Sequence, residues 1–159
     1  MKSQLLRRLP ALVMLCIALL TVQCKSSKKA AASTSTETES SAPKPKTIRI
    51  EQSVDLAQVK TSPTKIDSAW IAGNNLHLKL LYGGGCKEHR FELLGNGFMM
   101  KSLPPQTPIK LLHDNNDDHC RELIKDQQVF NIQPLQALGG KNELVIRLDT
   151  YETPLTYRW

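Results

Sequence analysis

The sequence predicts an all-β fold: a small antiparallel β-sandwich, immunoglobulin-like or similar, or a small barrel, with one short helical turn at most. Three observations lead there. Apolar residues recur at period two in short runs, the runs are separated by Gly, Asn and Pro, and no amphipathic stretch of about ten residues or more lies between successive runs, as a βαβ crossover would need. Six to eight such strands are expected between Ile48 and Trp159.

In chain order, Ile48 to Val59 offers short strand pieces without a strong period. Ile66 to Ala72 leads into Gly73-Asn74-Asn75, residues that tolerate the left-handed conformations of a tight turn. The return strand places Leu76, Leu78, Leu80 and Tyr82 on one face and His77 and Lys79 on the other. Gly83-Gly84-Gly85 is expected to break that strand, as a bulge or tight bend. His89, Phe91 and Leu93 alternate with Arg90 and Glu92 in the next strand, Gly95-Asn96-Gly97 turns the chain, and Leu103-Pro104-Pro105 is loop. Ile109, Leu111 and His113 share a face before an acidic polar loop, Asp114 to Asp118.

Cys120 to Asp126 is ambiguous. Cys120, Leu123 and Ile124 would line a helical turn, with Asp117 or Asp118 near its positive end; equally, the segment starts a strand that continues through Phe130 and Ile132. Gly139 to Asn142 is a turn, Leu144 to Leu148 a strand, and Leu155 to Trp159 a last strand with Tyr157 and Trp159 on one face.

The first residues combine Lys2, Arg7 and Arg8 with an apolar run from Leu9 to Val22, too short to span a bilayer core of roughly 30 Å comfortably. Residues 1–23 are therefore expected to be a signal peptide. Leu20-Thr21-Val22-Gln23-Cys24 resembles a bacterial lipobox, in which the cysteine is cleaved free and acylated; Gln23 replaces the usual small residue, a departure that Bacteroidetes and their relatives tolerate. Acylation would anchor the chain in a membrane through Cys24. Residues 24–47 hold no aromatic, Val, Leu or Ile and are expected to be a disordered tether, whose root-mean-square reach is about 25 Å. Residues 48–159 are expected to form a single domain.

The formal charge of +6 lies outside that domain. From Ile48 to Trp159, 13 Lys and Arg balance 13 Asp and Glu, so a nucleic-acid partner is not expected. The excess sits in the leader and in tether lysines such as Lys25, Lys28 and Lys29, suited to anionic headgroups.

Only Cys86 and Cys120 remain in the domain, and in an oxidising compartment they are most simply one disulfide. The alternative gathers Cys86, His89, His113 and Cys120 as a tetrahedral metal set, against which stands strand geometry, since residues three apart point to opposite faces. His89 and His113 are otherwise read as partly buried neutral side chains bonded to backbone or to acidic partners, and together with Asp114 and Asp118 they are the ligand-binding candidates. Asp114, Asp117 and Asp118 lack the spacing and closing Glu of an EF-hand loop. No Gly-x-Ser-x-Gly elbow, phosphate loop or Cys-x-x-Cys is present, so no catalytic residue or cofactor is nominated and an enzyme is the less favoured class. Trp70, Tyr157 and Trp159 are read as core aromatics, with an exposed platform for glycan or peptide as the alternative.

The run from Tyr82 to Leu93, with His113-Asp114 and Asp118-His119-Cys120, resembles a group of uncharacterised Bacteroidetes-type lipoproteins over about Ile66 to Leu148. The resemblance implies Cys86, His89, Phe91, His113, Asp118 and Cys120 as signature positions and supplies no activity. The expectation is a lipid-anchored protein of the cell membrane or outer membrane, its domain facing periplasm or exterior, structural or binding an envelope protein or polymer. Metal binding through His89, His113 and nearby Cys or Asp is the alternative. Lys25 and Ser26 do not resemble an acidic surface-export signal, which favours the periplasmic leaflet.

Overall fold

The structure, a computed structural model, describes residues 44–139 and 141–159. The leader, Cys24 and the tether before Lys44 lie outside the described residues.

Among the described residues nine strands form two facing sheets: β1 (Lys46–Thr47), β2 (Arg49–Ile50), β3 (Lys65–Ala72), β4 (Asn75–Gly84), β5 (Arg90–Gly95), β6 (Gln106–Asp114), β7 (Glu122–Asn131), β8 (Glu143–Leu148) and β9 (Leu155–Arg158). One sheet has the order β1-β7-β4-β3, the other β2-β5-β6-β8-β9. The sandwich is thus the form taken, not the barrel. Three pairings depart from the antiparallel expectation: β1 with β7, β2 with β5, and β6 with β8 are parallel.

Period-two patterning becomes burial directly. On β4, Leu76, Leu78 and Leu80 are buried, and across the sandwich Phe91, Leu93, Ile109, Leu111, Leu144, Ile146 and Tyr157 meet them. The β3–β4 turn is the two residues Gly73-Asn74, with Gly73 at φ +56°, a value that costs a glycine little. β1 and β2 are one extended stretch that leaves the first sheet and joins the second; Ile48, between them, is buried in the core. The sandwich accordingly takes in Lys46 and Thr47, two residues of the segment expected as tether.

Three local expectations change. β4 does not break at Gly83 but continues through Gly84, which pairs with Glu122. The ambiguous Cys120–Asp126 segment contributes to a strand, β7. The helical turn lies instead at Gln133–Leu138, a 3-10 helix opened by Pro134 that buries Leu135. At this end Tyr157 donates its hydroxyl to Asn74 Oδ1 at 2.7 Å and accepts from Gln136 Nε2 at 2.7 Å, tying β9, the β3–β4 turn and the 3-10 helix together. Among the described residues no helix is long and apolar enough to cross a membrane.

Candidate functional site

Polar residues concentrate at the opposite end of the sandwich, where β4 ends, β5 begins and β6 gives way to the acidic loop. His113 is the penultimate residue of β6 and faces inward, while His89 immediately precedes β5. Asp118 closes the loop between β6 and β7 and is buried. Ser62 N–H donates to His113 O, and His113 N–H to Thr61 Oγ1, so the segment before β3 runs beside β6 and brings Thr64 to the cluster.

A chain of hydrogen bonds results. Thr64 Oγ1 lies 2.6 Å from His113 Nδ1, His113 Nε2 lies 2.8 Å from His89 Nδ1, and His89 Nε2 lies 3.2 Å from Asp118 Oδ2. The same Oδ2 accepts the backbone N–H groups of Cys86 and Lys87 at 2.9 Å each, and Oδ1 accepts that of Cys120 at 2.8 Å. With Asp118 ionised and both imidazoles neutral, each link has one donor: Thr64 O–H to His113, His113 Nε2–H to His89, His89 Nε2–H to the carboxylate. The Cys120 N–H, helped by those of Cys86 and Lys87 and by His89, holds Asp118 well below the usual carboxylate range despite burial. Burial first, and then the neighbouring His89, lower His113 from its ordinary value.

The rings pack as well as bond. Tyr82 sits about 5 Å from the rings of His89, Phe91 and His113, and Phe91 stacks on His113 with centroids 4.5 Å apart. Gly84 is what admits the His89 ring: a Cβ there would lie 2.5 Å from Cε1 and 2.6 Å from Nε2. Cys86 and Cys120 are joined as a disulfide, covalently linking the loops before β5 and before β7.

A profile of the NigD-like C-terminal β-sandwich domain matches residues 46–158, from the first strand to the last. The chain belongs to that family. Among solved structures, the NigD-like chain is similar to a NigD-like immunity protein from Bacteroides caccae, at 18% identity and a TM-score of 0.49, covering 70% of this chain and 58% of that one. It is also similar to a protein of unknown function from Bacteroides vulgatus, at 13% identity and a TM-score of 0.47, covering 72% of this chain and 56% of that one. It spans less than two thirds of the length of either. No curated protein matches it.

In this NigD-like domain His89, His113, Asp118, Cys86 and Cys120 are brought to one end, and Asp114 stands at the same end but outside the hydrogen-bond chain. Asp114 is exposed, pairs in register with Arg90 and accepts from Asn116 N–H. The tetrahedral Cys86, His89, His113 and Cys120 set is not assembled, which corrects the metal alternative: the two sulfurs are bonded to each other, and the histidine nitrogens that would face a metal face one another. Cys86, Asp118 and Cys120 do place donor atoms within 4.8 Å, but two of those atoms are the bonded sulfurs. Of the aromatics, Tyr157 is core and Trp159 packs against it, whereas Trp70 lies on the outer sheet face, stacked on His77 at 5.0 Å with Lys79 Nζ 5.8 Å from its ring centre. Thr64 and Gly84 were not legible as site residues; the triple glycine was the one signal, and it reads equally as a bend.

Proposed function

We propose that this chain is a cell-envelope lipoprotein whose β-sandwich is a non-catalytic binding module. Cys24 carries the lipid, the residues up to the first strand form the tether, and the sandwich engages another envelope protein or polymer. The observation that carries the binding reading is where the reactive side chains are spent. Histidines, carboxylate and thiols that could do chemistry at the polar end are bonded to one another, with the side chains of His89 and Asp118 only 3% and 0% exposed. Trp70, His77 and Lys79, by contrast, make an aromatic and cationic outer face beside β3, whose far side ends the sheet and offers unpaired backbone groups to an incoming strand.

Two measurements on the full chain in a Bacteroides host test this. Metabolic labelling with an alkyne fatty acid is expected to mark the wild-type chain and not Cys24→Ser; equal labelling of both sinks the anchor. A photo-crosslinking residue at Lys79 is expected to trap one defined envelope component, with the adduct lost in Trp70→Ser. Adducts indifferent to Trp70→Ser would overturn the binding face.

A further inference from the structure

Five large apolar side chains are conspicuously exposed among the described residues, and three of them, Phe98, Met100 and Leu103, stand on the single loop between β5 and β6. Leu103 is fully exposed and Phe98 58% exposed. The loop from Asn96 to Pro105 carries no acidic residue and one cation, Lys101. Beside it Met99, Ser102, Leu103, Pro104, Pro105, Lys141 and Glu143 line a hollow of about 590 Å³; Glu143 is engaged by Arg158 at 2.7 Å, so Lys101 on the loop and Lys141 at the hollow supply the cationic charge here.

The loop is also built, not slack. Phe98 N–H donates to Asn96 Oδ1, Phe98 O accepts from Thr107 Oγ1, Met100 N–H donates to Gln106 O, Ser102 N–H to Met100 O, and Ser102 Oγ to Pro104 O. Pro104 and Pro105 bring no N–H at all. Backbone groups that already have partners are what a segment needs to enter an apolar phase without losing hydrogen bonds to water.

We infer that the β5–β6 loop is a membrane-contact surface that seats the apolar side chains of Phe98, Met100 and Leu103 at the acyl boundary of an anionic bilayer, with Lys101 and Lys141 at the headgroups. This rests on the lipoprotein reading, to which it adds a second contact. The tether permits it: Cys24 is 22 residues before Lys46, an extended reach of roughly 70 Å. β2 runs parallel to β5 toward this same end, so the tether joins the sandwich on the side away from the loop and uses part of that reach in folding back along it. Apolar insertion plus cationic attraction is the combination that holds peripheral segments at a bilayer, and a surface of this size gives weak, reversible binding that a covalent lipid makes effective.

The test uses residues 44–159, which hold the whole core and lack both leader and Cys24. In flotation with phosphatidylglycerol/phosphatidylethanolamine vesicles, the sandwich is expected to rise with the vesicles, and Leu103→Ser with Phe98→Ser to lower bound protein about tenfold. Lys101→Glu with Lys141→Glu is expected to abolish the preference over phosphatidylcholine vesicles. Leu103→Ser alone alters a side chain that packs on nothing, so it serves if the double variant melts early. No flotation, or flotation unchanged by the loop variants, overturns the inference. Because Cys24 is absent from this sample, that failure leaves the fatty-acid labelling result untouched, and failed labelling leaves the flotation result standing as contact without an anchor.

Discussion

Asp118 concentrates more structural work than any other polar residue at its end of the sandwich, since one carboxylate gathers the N–H groups of Cys86, Lys87 and Cys120 together with His89. Its neutral isostere Asp118→Asn keeps the shape but turns an acceptor-only group into one that also donates, so it is expected to lower the melting temperature clearly in thermal denaturation followed by circular dichroism. The two shifted groups act on stability over different pH ranges. Asp118 is depressed in the folded state, so its contribution is present above the ordinary carboxylate value near 3.8 and is lost as pH falls through the folded value. His113 is also lowered, and for a base this means that the unfolded chain binds the proton more readily: stability falls as pH drops below the ordinary value of 6.5. Melting temperature is expected to decline from about pH 8 to about pH 5, with a flatter profile in His113→Gln. An identical slope in the variant would remove His113 as the cause.

At the scale of elements, the end of β4 is where sequence and packing meet. Gly84→Ala puts a methyl group against the His89 ring, and overpacking of this kind is expected to cost about 2 kcal/mol in denaturant unfolding. The disulfide spans a sequence separation of 34, for which chain entropy gives roughly 4 kcal/mol; Cys86→Ala with Cys120→Ala should lose about that much while retaining the sandwich by circular dichroism. β7 explains why one strand resisted reading. Along its Ile124, Asp126, Gln128, Phe130 face only Phe130 is fully buried, and Gln128 donates to Asp126 at 2.7 Å, so this face carries polar residues where an apolar alternation would have marked a strand. β4, β5, β6 and β8 lie deep in the core and alternate legibly for that reason.

For the molecule as a whole, the entering segment works as a clasp. β1 pairs with β7 of one sheet, β2 with β5 of the other, and Ile48 between them is buried, so five residues hold both layers. Residues 51–159 are expected to melt well below residues 44–159, by about 10 °C or more, since removing a buried Ile and two sheet edges costs several kcal/mol. Equal melting would show the clasp to be dispensable.

Residue order alone determined the all-β class, with sandwich and small barrel both open, the inward faces of the central strands, the turns at Gly73 and after Gly95, and the inward placement of His113, because period-two burial and glycine turn chemistry are local properties. It also brought Cys86 and Cys120 under suspicion of pairing, from compartment and number. Only the tertiary structure decided that β6 and β8 run parallel, that Gly84 makes room for His89, and that Thr64, His113, His89 and Asp118 bond in one line while Asp114 stays outside. Those outcomes depend on which loops meet at one end of two stacked sheets, a long-range arrangement set by the packing of the whole core and by no spacing along the chain.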